Sequence, residues 1–211
     1  MNTNRKAFLD MLAVSEGTST SKATQCDGYD VIVIGTDGAH ELITDFSTHP
    51  FADGLRPSKV FNRKGETSSA SGRYQFMKKD WNHYRDQLNL TDTTIYPNGA
   101  FSAKAQDAWA IQLIRERSAL PLIDHGDFET AVARCRNIWA SLPGAGYGQH
   151  ENSIEKLKAV YEKAGGMFKA VAEKTTESVA VAIQDAPKAA PSILTIILGI
   201  LKFFANMGSK K

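Results

Sequence analysis

Cysteine is scarce in this sequence, which has only Cys26 and Cys135 among its 211 residues. Two cysteines exclude a disulfide scaffold, and the apolar surroundings of Cys135 predict a free, buried thiol. A secretory signal peptide is also missing, because no apolar run of sufficient length follows Arg5 and Lys6. We therefore expect the protein to stay in the cytoplasm in which it is made until something releases it.

A strong charge of one sign is absent as well, since the net charge is only +2. The sequence has no basic stripe of the kind that nucleic-acid-binding proteins carry, so nucleic acid is not an expected partner. The charge is nevertheless uneven: residues 167–211 carry six lysines against three acidic residues, and the last arginine is Arg136. This change predicts two modules, a folded domain over residues 1–166 and a separate segment over 167–211.

The N-terminal segment predicts a short amphipathic helix that ends at a glutamate. Asn2, Thr3 and Asn4 offer N-cap side chains, and Gly17 offers a left-handed C-terminal stop. Phe8, Leu12 and Glu16 recur every four residues and share one face. An apolar surround and the helix C-terminus both disfavour the ionised carboxylate, which would make this glutamate a general acid near neutral pH. The alternative, from spacing alone, is a solvated glutamate in the last turn.

The rest of the pattern predicts an α+β fold that is mostly helical, with a small β-hairpin. β-Branched residues over 29–34, a glycine turn and the segment 40–46 indicate the hairpin. Residues 50–64 show no period and are expected to form a long surface loop. Apolar stripes then predict four helices: over residues 74–88, from the cap Ser102 to Leu113, from the cap Asp127 to Leu142, and from the cap Asn152 through Tyr161 to the glycines at 165 and 166.

Two glycine-containing segments have the composition of a binding site. In the first, Ser71 and its small neighbours lead into Tyr74 and Gln75. In the second, Tyr147 lies on a loop with three glycines, where its ring can stack on a sugar and its hydroxyl can hydrogen-bond. Each segment also has an ordinary interpretation: Gly72 as a close packing point, Tyr74 as part of a core stripe, and Tyr147 as a plain loop residue.

Together with Glu16, these segments closely resemble the lambda-type phage endolysins over about residues 5–166. The resemblance is carried by RKAFLDMLA at 5–13, SEGT at 15–18, GYDVIV at 28–33, GRYQ at 72–75, ALP at 119–121, NIWASL at 137–142 and the loop 143–149. It implies a lysozyme-like fold with a cleft between a β-containing part and a helical part. It also implies lytic transglycosylase activity on bacterial peptidoglycan, with Glu16 as the single catalytic residue. We expect Ser71, Tyr74, Gln75 and Tyr147 to contact the glycan.

The second carboxylate that hydrolytic glycosidases usually need is missing from its expected place. A lysozyme of the other common phage type carries an aspartate about nine residues after its glutamate, and Gln25 stands there in this sequence. Asp30, Glu41 and Asp45 follow, but we interpret them as surface or turn residues of the hairpin. Transglycosylation needs one carboxylate, which protonates the glycosidic oxygen and then deprotonates the muramic 6-hydroxyl. The alternatives are a hydrolytic muramidase, and a wall-binding or membrane-active lysis protein.

The C-terminal segment predicts an amphipathic helical tail whose strongly apolar part covers residues 192–207. One narrow polar stripe interrupts it, and its apolar positions include Ile193, Ile196, Ile197, Ile200, Leu201 and Phe204. At ~1.5 Å per residue, residues 193–207 reach only ~22 Å, short of a hydrocarbon core of ~30 Å. We therefore predict that the tail contacts a membrane by lying in its interface. Docking onto the domain and self-association are the alternatives.

The sequence thus predicts a bacteriolytic enzyme for host cell lysis whose partners are peptidoglycan glycan strands and, through residues 192–211, a membrane. We expect a monomer without a cofactor or a metal. After release from the host cytoplasm, it is expected to act at the cell wall in the periplasm.

Overall fold

The N-terminal sequence forms the helix that its pattern predicts. In the computed structural model, which describes residues 2–148 and 150–170, α1 covers Thr3–Ser15. Asn2 caps this helix, because its side chain accepts a hydrogen bond from the Asn4 amide at 2.8 Å. The predicted tail helix over 192–207 lies outside the described residues. Within the described ranges, no helix is long and apolar enough to cross a membrane.

Among the described residues, a short 3-10 helix (Ala52–Gly54) and five further α-helices follow, and the bounds of the α-helices differ in part from those predicted. The α-helices are α2 (Lys78–Gln87), α3 (Ala103–Glu116), α4 (Leu120–Asp124), α5 (Phe128–Cys135) and α6 (Ile154–Lys163). Helix α4 was not predicted. Helix α2 begins after the predicted start, and α5 ends before Leu142, because Trp139 and Leu142 are buried from turns rather than from a helix. The cap of α6 is Ser153, whose hydroxyl accepts from the Lys156 amide at 3.2 Å, and not Asn152.

The β-structure is smaller than predicted and differently placed. Its regular part pairs β1 (Lys59–Val60) with β2 (Thr67–Ser68) in an antiparallel sheet, so the predicted loop 50–64 contains a strand. The predicted hairpin 29–34/40–46 forms only the bridge between Val31 and Leu42. Ile32 bridges instead to Ser71 on the other side. The β-branched segment thus lies between two neighbours and forms a single bridge to each.

Helix α1 lies in the core, where it packs against α4 and α6. Ala7, Phe8, Met11 and Leu12 have no exposed surface. A second part of the core is aromatic, with Phe76 stacked on Trp109 at a centroid distance of 4.1 Å. The buried free thiol predicted at Cys135 is confirmed, while Cys26 is free and exposed. Because α1 is anchored along its length, the residue at its C-terminus has a fixed position.

Candidate active site

Glu16 is the C-cap residue of α1. The amide of Gly17 donates to Val14 O and that of Thr18 donates to Ala13 O, both at 3.0 Å. Gly17 has a φ of 73°, so the pattern is a Schellman motif. The predicted glycine stop is therefore confirmed. It turns the chain away immediately after Glu16 and leaves that side chain at the end of a rigid helix.

The side chain of Glu16 is half-buried and borders a cleft of about 360 Å³. The turn that follows α1 and the apolar segment 31–34 both contribute to its lining. The described lining residues are Glu16, Gly17, Thr18, Ser21, Lys22, Val31, Ile32, Val33, Ile34, His40 and Gln75. Glu16 is the only carboxylate in this described lining.

Burial raises the pKa of Glu16 from its ordinary 4.5 to about 7. The hydroxyl of Ser141 acts in the other direction, because it donates to Glu16 Oε1 at 2.5 Å and stabilises the carboxylate. The group therefore exchanges its proton near neutral pH, as a residue that serves first as acid and then as base requires. Ser141 lies between α5 and α6, and sequence reasoning missed it although it belongs to the run 137–142.

The three other carboxylates considered from the sequence are held away from such a role. Asp30 is 3 % exposed and accepts hydrogen bonds from the hydroxyl of Thr24 at 2.5 Å and the amide of Gln25 at 2.8 Å. Of the two interpretations, surface or turn, the structure shows the turn: Asp30 is buried there and organises the loop before the β-region. Glu41 pairs with Lys59 and Arg56, which hold its pKa below the ordinary value. Asp45 is engaged by the amide of Ser47 at 2.8 Å.

Gln75 lies with Glu16 on the cleft, at the end of a four-residue turn between the bridged Ser71 and Phe76. The turn needs left-handed backbone at both ends, with φ of 75° at Gly72 and 52° at Gln75. The side-chain amide of Gln75 donates to Gly72 O at 3.1 Å, which fixes its orientation. The segment 72–75 is thus a turn, and the prediction that it enters a helix was wrong.

Tyr74 and Ser71 lie in the core. Tyr74 is 1 % exposed and donates its hydroxyl to Asp107 at 2.6 Å. Ser71 is fully buried and donates to Ser69 O at 3.1 Å. Neither residue offers a free polar group to a glycan, so both support the turn that carries Gln75 rather than line the cleft.

Tyr147 is 55 % exposed and lies on the loop between α5 and α6. Its hydroxyl donates to Asn137 O at 2.9 Å, and its ring remains open to solvent. Glu151 holds the loop by accepting from the amides of Gly144 and Gly146, both at 2.7 Å. The ring is available for stacking, although Tyr147 does not belong to the described lining of the cleft.

No cluster among the described residues has the acidic, histidine or cysteine ligands needed to hold a metal ion. A second cavity of about 330 Å³ is lined mainly by apolar groups, among them Phe46 and Pro97, and does not include Glu16. The chemistry of the described part of the chain therefore centres on the cleft at the end of α1.

Comparison with known proteins places the chain among related sequences. A model of the endolysin family matches residues 6–168. The chain is 60 % identical to the endolysin of Escherichia phage P2 over 164 residues, which is 78 % of this chain and 94 % of that protein. It is 49 % identical to the endolysin of Escherichia phage lambda over 172 residues, which is 81 % of this chain and 97 % of that protein.

Solved structures of bacteriophage lambda lysozyme also match. The lysozyme complexed with a chitohexasaccharide is 49 % identical, with a TM-score of 0.68, and the match covers 80 % of this chain and 98 % of that chain. A second structure of lambda lysozyme is 48 % identical, with a TM-score of 0.65 and the same coverage. The described fold is therefore lysozyme-like.

Proposed function

The chain belongs to the endolysin family, and from this premise we propose that it cleaves the glycan strands of bacterial peptidoglycan with Glu16 as general acid and base. The observation that carries the proposal is the single half-buried carboxyl of Glu16 on the cleft, with its pKa near 7. A relative that is 49 % identical binds a chitohexasaccharide. A β-1,4-linked sugar chain is therefore the substrate class we propose for the cleft.

The reaction we propose is lytic transglycosylation. Glu16 gives its proton to the oxygen between N-acetylmuramic acid and N-acetylglucosamine, and the bond from that oxygen to muramic C1 breaks. The substrate's own 2-acetamido oxygen stabilises the positive charge at C1. The Glu16 carboxylate then takes the proton of the muramic 6-hydroxyl, whose oxygen bonds to C1 and closes a 1,6-anhydro ring. Proton transfer by one positioned group contributes about 10²–10⁴-fold.

The absence of a second carboxylate from the described cleft lining favours this reaction over hydrolysis, which usually needs an additional carboxylate as nucleophile or base. In a hydrolytic muramidase, water would attack C1 instead of the 6-hydroxyl. The anhydro product is lighter than the hydrolytic product by one water molecule. Mass spectrometry of the muropeptides released from purified peptidoglycan therefore separates the two reactions, and we expect the lighter product.

The glutamate itself is tested by Glu16→Gln, which keeps the shape of the side chain and removes its proton exchange. We expect cleavage to fall by at least the 10²-fold that general acid catalysis contributes, while the protein remains folded. Glu162→Gln changes an exposed glutamate of α6 in the same way and should leave activity unchanged. A zymogram of the three proteins decides the assignment, and near-normal lysis by Glu16→Gln would overturn it.

We further propose that the protein remains in the host cytoplasm until lysis and then acts at the wall in the periplasm. Residues 192–211 are proposed to contact a membrane. The alternative is a wall-binding or membrane-active lysis protein without enzymatic function. In that case the variant Glu16→Gln would lyse cells as well as the wild type does.

A further inference from the structure

The carboxyl group of Glu16 stands at the end of a chain of hydrogen bonds that begins on α6. We propose that this chain is a directed relay, that Ser141 is a positioning residue for Glu16, and that the relay leaves the catalytic proton on Oε2. The members of the relay, in order, are Lys156, Asn152, Ser15 and Ser141. The inference rests on the proposed function, since it concerns how Glu16 is held as an acid.

The orientation of Asn152 is fixed by partners that can only donate or only accept. Lys156 Nζ lies 2.6 Å from Asn152 Oδ1, and an ammonium group only donates. Asn152 Nδ2 lies 3.2 Å from the backbone oxygens of both Ser15 and Ser141, which only accept. Asn152 is 5 % exposed, so these protein groups are its main partners. Its amide nitrogen therefore faces the two serines and its oxygen faces α6.

The direction continues through the two hydroxyl groups. Asn152 Nδ2 lies 3.1 Å from Ser15 Oγ and donates to it. The hydrogen of the Ser15 hydroxyl then has two acceptors, Ser141 Oγ at 2.7 Å and Ser141 O at 3.4 Å, and the shorter contact is the stronger. Ser141 accepts on that side, so its own hydrogen points to Glu16 Oε1 at 2.5 Å. Hydrogen bonds that run in one direction polarise and strengthen each other.

This arrangement distinguishes the two oxygens of Glu16. Oε1 accepts from Ser141, so the proton of the acid form is carried by Oε2. Among the described residues Oε2 has no hydrogen-bond partner, and Glu16 borders the cleft, so a glycosidic oxygen has access to that proton. Lys22 and His40 are the other charged or titratable groups of the described lining, and the variants below leave both in place.

The first test removes the last donor with Ser141→Ala and follows the titration of the Glu16 carboxyl carbon by NMR. We expect its midpoint to rise by about one pH unit, because a hydrogen bond to the charged form is lost. The alkaline limb of the pH–activity profile should move by the same amount. Ser141→Thr keeps the hydroxyl and should restore the midpoint. Ser69→Ala removes another serine hydroxyl, which accepts from the Lys78 amide, and should leave the titration unchanged.

The second test asks whether removing an earlier donor of the relay changes the titration midpoint of Glu16 only through Ser141. Asn152→Ala alone should raise the midpoint by part of the Ser141→Ala shift, and should add nothing in the Ser141→Ala background. Lys156→Met removes the first donor of the relay at an exposed position, and combining it with Ser141→Ala repeats the comparison while the buried members stay in place. Additive shifts, or a wild-type midpoint in Ser141→Ala, would overturn the relay. Neither result touches the proposed function, which fails if Glu16→Gln remains active or if the released muropeptides are the hydrated product.

Discussion

Burial of Glu16 has opposite effects on stability and on catalysis at neutral pH. Its pKa is raised from 4.5 to about 7 in the folded protein, so the folded state binds the proton more tightly than the unfolded state. The stabilisation is complete below pH 4.5, is lost as the pH rises to about 7, and does not change further above that. A difference of this size corresponds to about 3 kcal/mol. At neutral pH the free energy of unfolding is therefore lower than at pH 4, and the burial that causes this difference also makes Glu16 a general acid.

The variant Glu16→Gln should remove this pH dependence, because an amide does not ionise. We expect its free energy of unfolding to be near that of the wild type at pH 4 and higher by up to about 3 kcal/mol at pH 8. Urea denaturation at the two pH values measures the difference. Glu162→Gln, on the exposed surface of α6, should show no such pH-dependent gain. A gain of the same size at both pH values would show that burial of the charge is not its cause.

At this scale the sequence indicates Glu16 but not its partners. The spacing of Phe8, Leu12 and Glu16 is local, so a helical pattern was enough to place the carboxyl on an apolar face. Ser141 is 125 residues away along the chain, and a serine among apolar neighbours carries no signal for such a contact. The burial of Tyr74 was visible in its apolar stripe, but an aromatic hydroxyl next to a glycine turn is equally typical of a sugar site.

The turn from Gly72 to Gln75 is the element that connects the core to the cleft. Gly72 has a φ of 75°, and a Cβ there would lie 2.2 Å from Gln106 Oε1. That oxygen accepts from the Arg73 amide at 2.8 Å, while Nε2 of the same side chain donates to Phe101 O at 2.8 Å. A larger residue at this glycine would therefore displace a buried glutamine that is bonded on both sides, and Gln75 with it.

The expected cost of Gly72→Ala is about 3 kcal/mol, from left-handed backbone and overpacking together. Gly38→Ala is a matched control, because Gly38 has a φ of 69° but nothing lies within 4 Å of its Cβ position. It should cost about 1 kcal/mol, the backbone contribution alone. Thermal and urea unfolding of both variants measures the difference. Equal costs would show that the contact with Gln106 contributes nothing.

Elements were predictable where their signals are local. Both ends of α1 have local signals: the cap candidates Asn2, Thr3 and Asn4 at its start, of which the structure uses Asn2, and Gly17 at its end. The early end of α5 and the late start of α2 were not predictable. Trp139 and Tyr74 continue the helical spacing of apolar residues in the sequence, but the fold buries both from segments outside the helices. The pairing of Ile32 with Ser71 joins segments far apart in sequence, and the β-branched run 29–34 does not say which neighbour it meets.

At the scale of the whole chain, the residues after α6 bind back to the helical domain. The Met167 amide donates to Asn4 Oδ1 at 2.8 Å, and the Lys169 amide donates to Gly126 O at 2.9 Å. Phe168 packs edge-on against Phe128, with centroids 5.7 Å apart. The predicted boundary at residue 166 would cut before all three contacts. A truncation that removes the tail and keeps these contacts should therefore end at residue 170.

The predicted membrane contact of residues 192–211 is best tested with that truncation. The full chain should bind and permeabilise anionic vesicles, because a wide apolar face and several lysines favour the interface, and residues 1–170 should do neither. Both proteins should cleave purified peptidoglycan at similar rates, since Glu16 and its cleft lie within residues 1–170. Truncation at 166 should lower the melting temperature relative to 170, because it removes the contacts of residues 167–169. Equal vesicle leakage with and without the tail would contradict the membrane prediction, because the domain would then account for it.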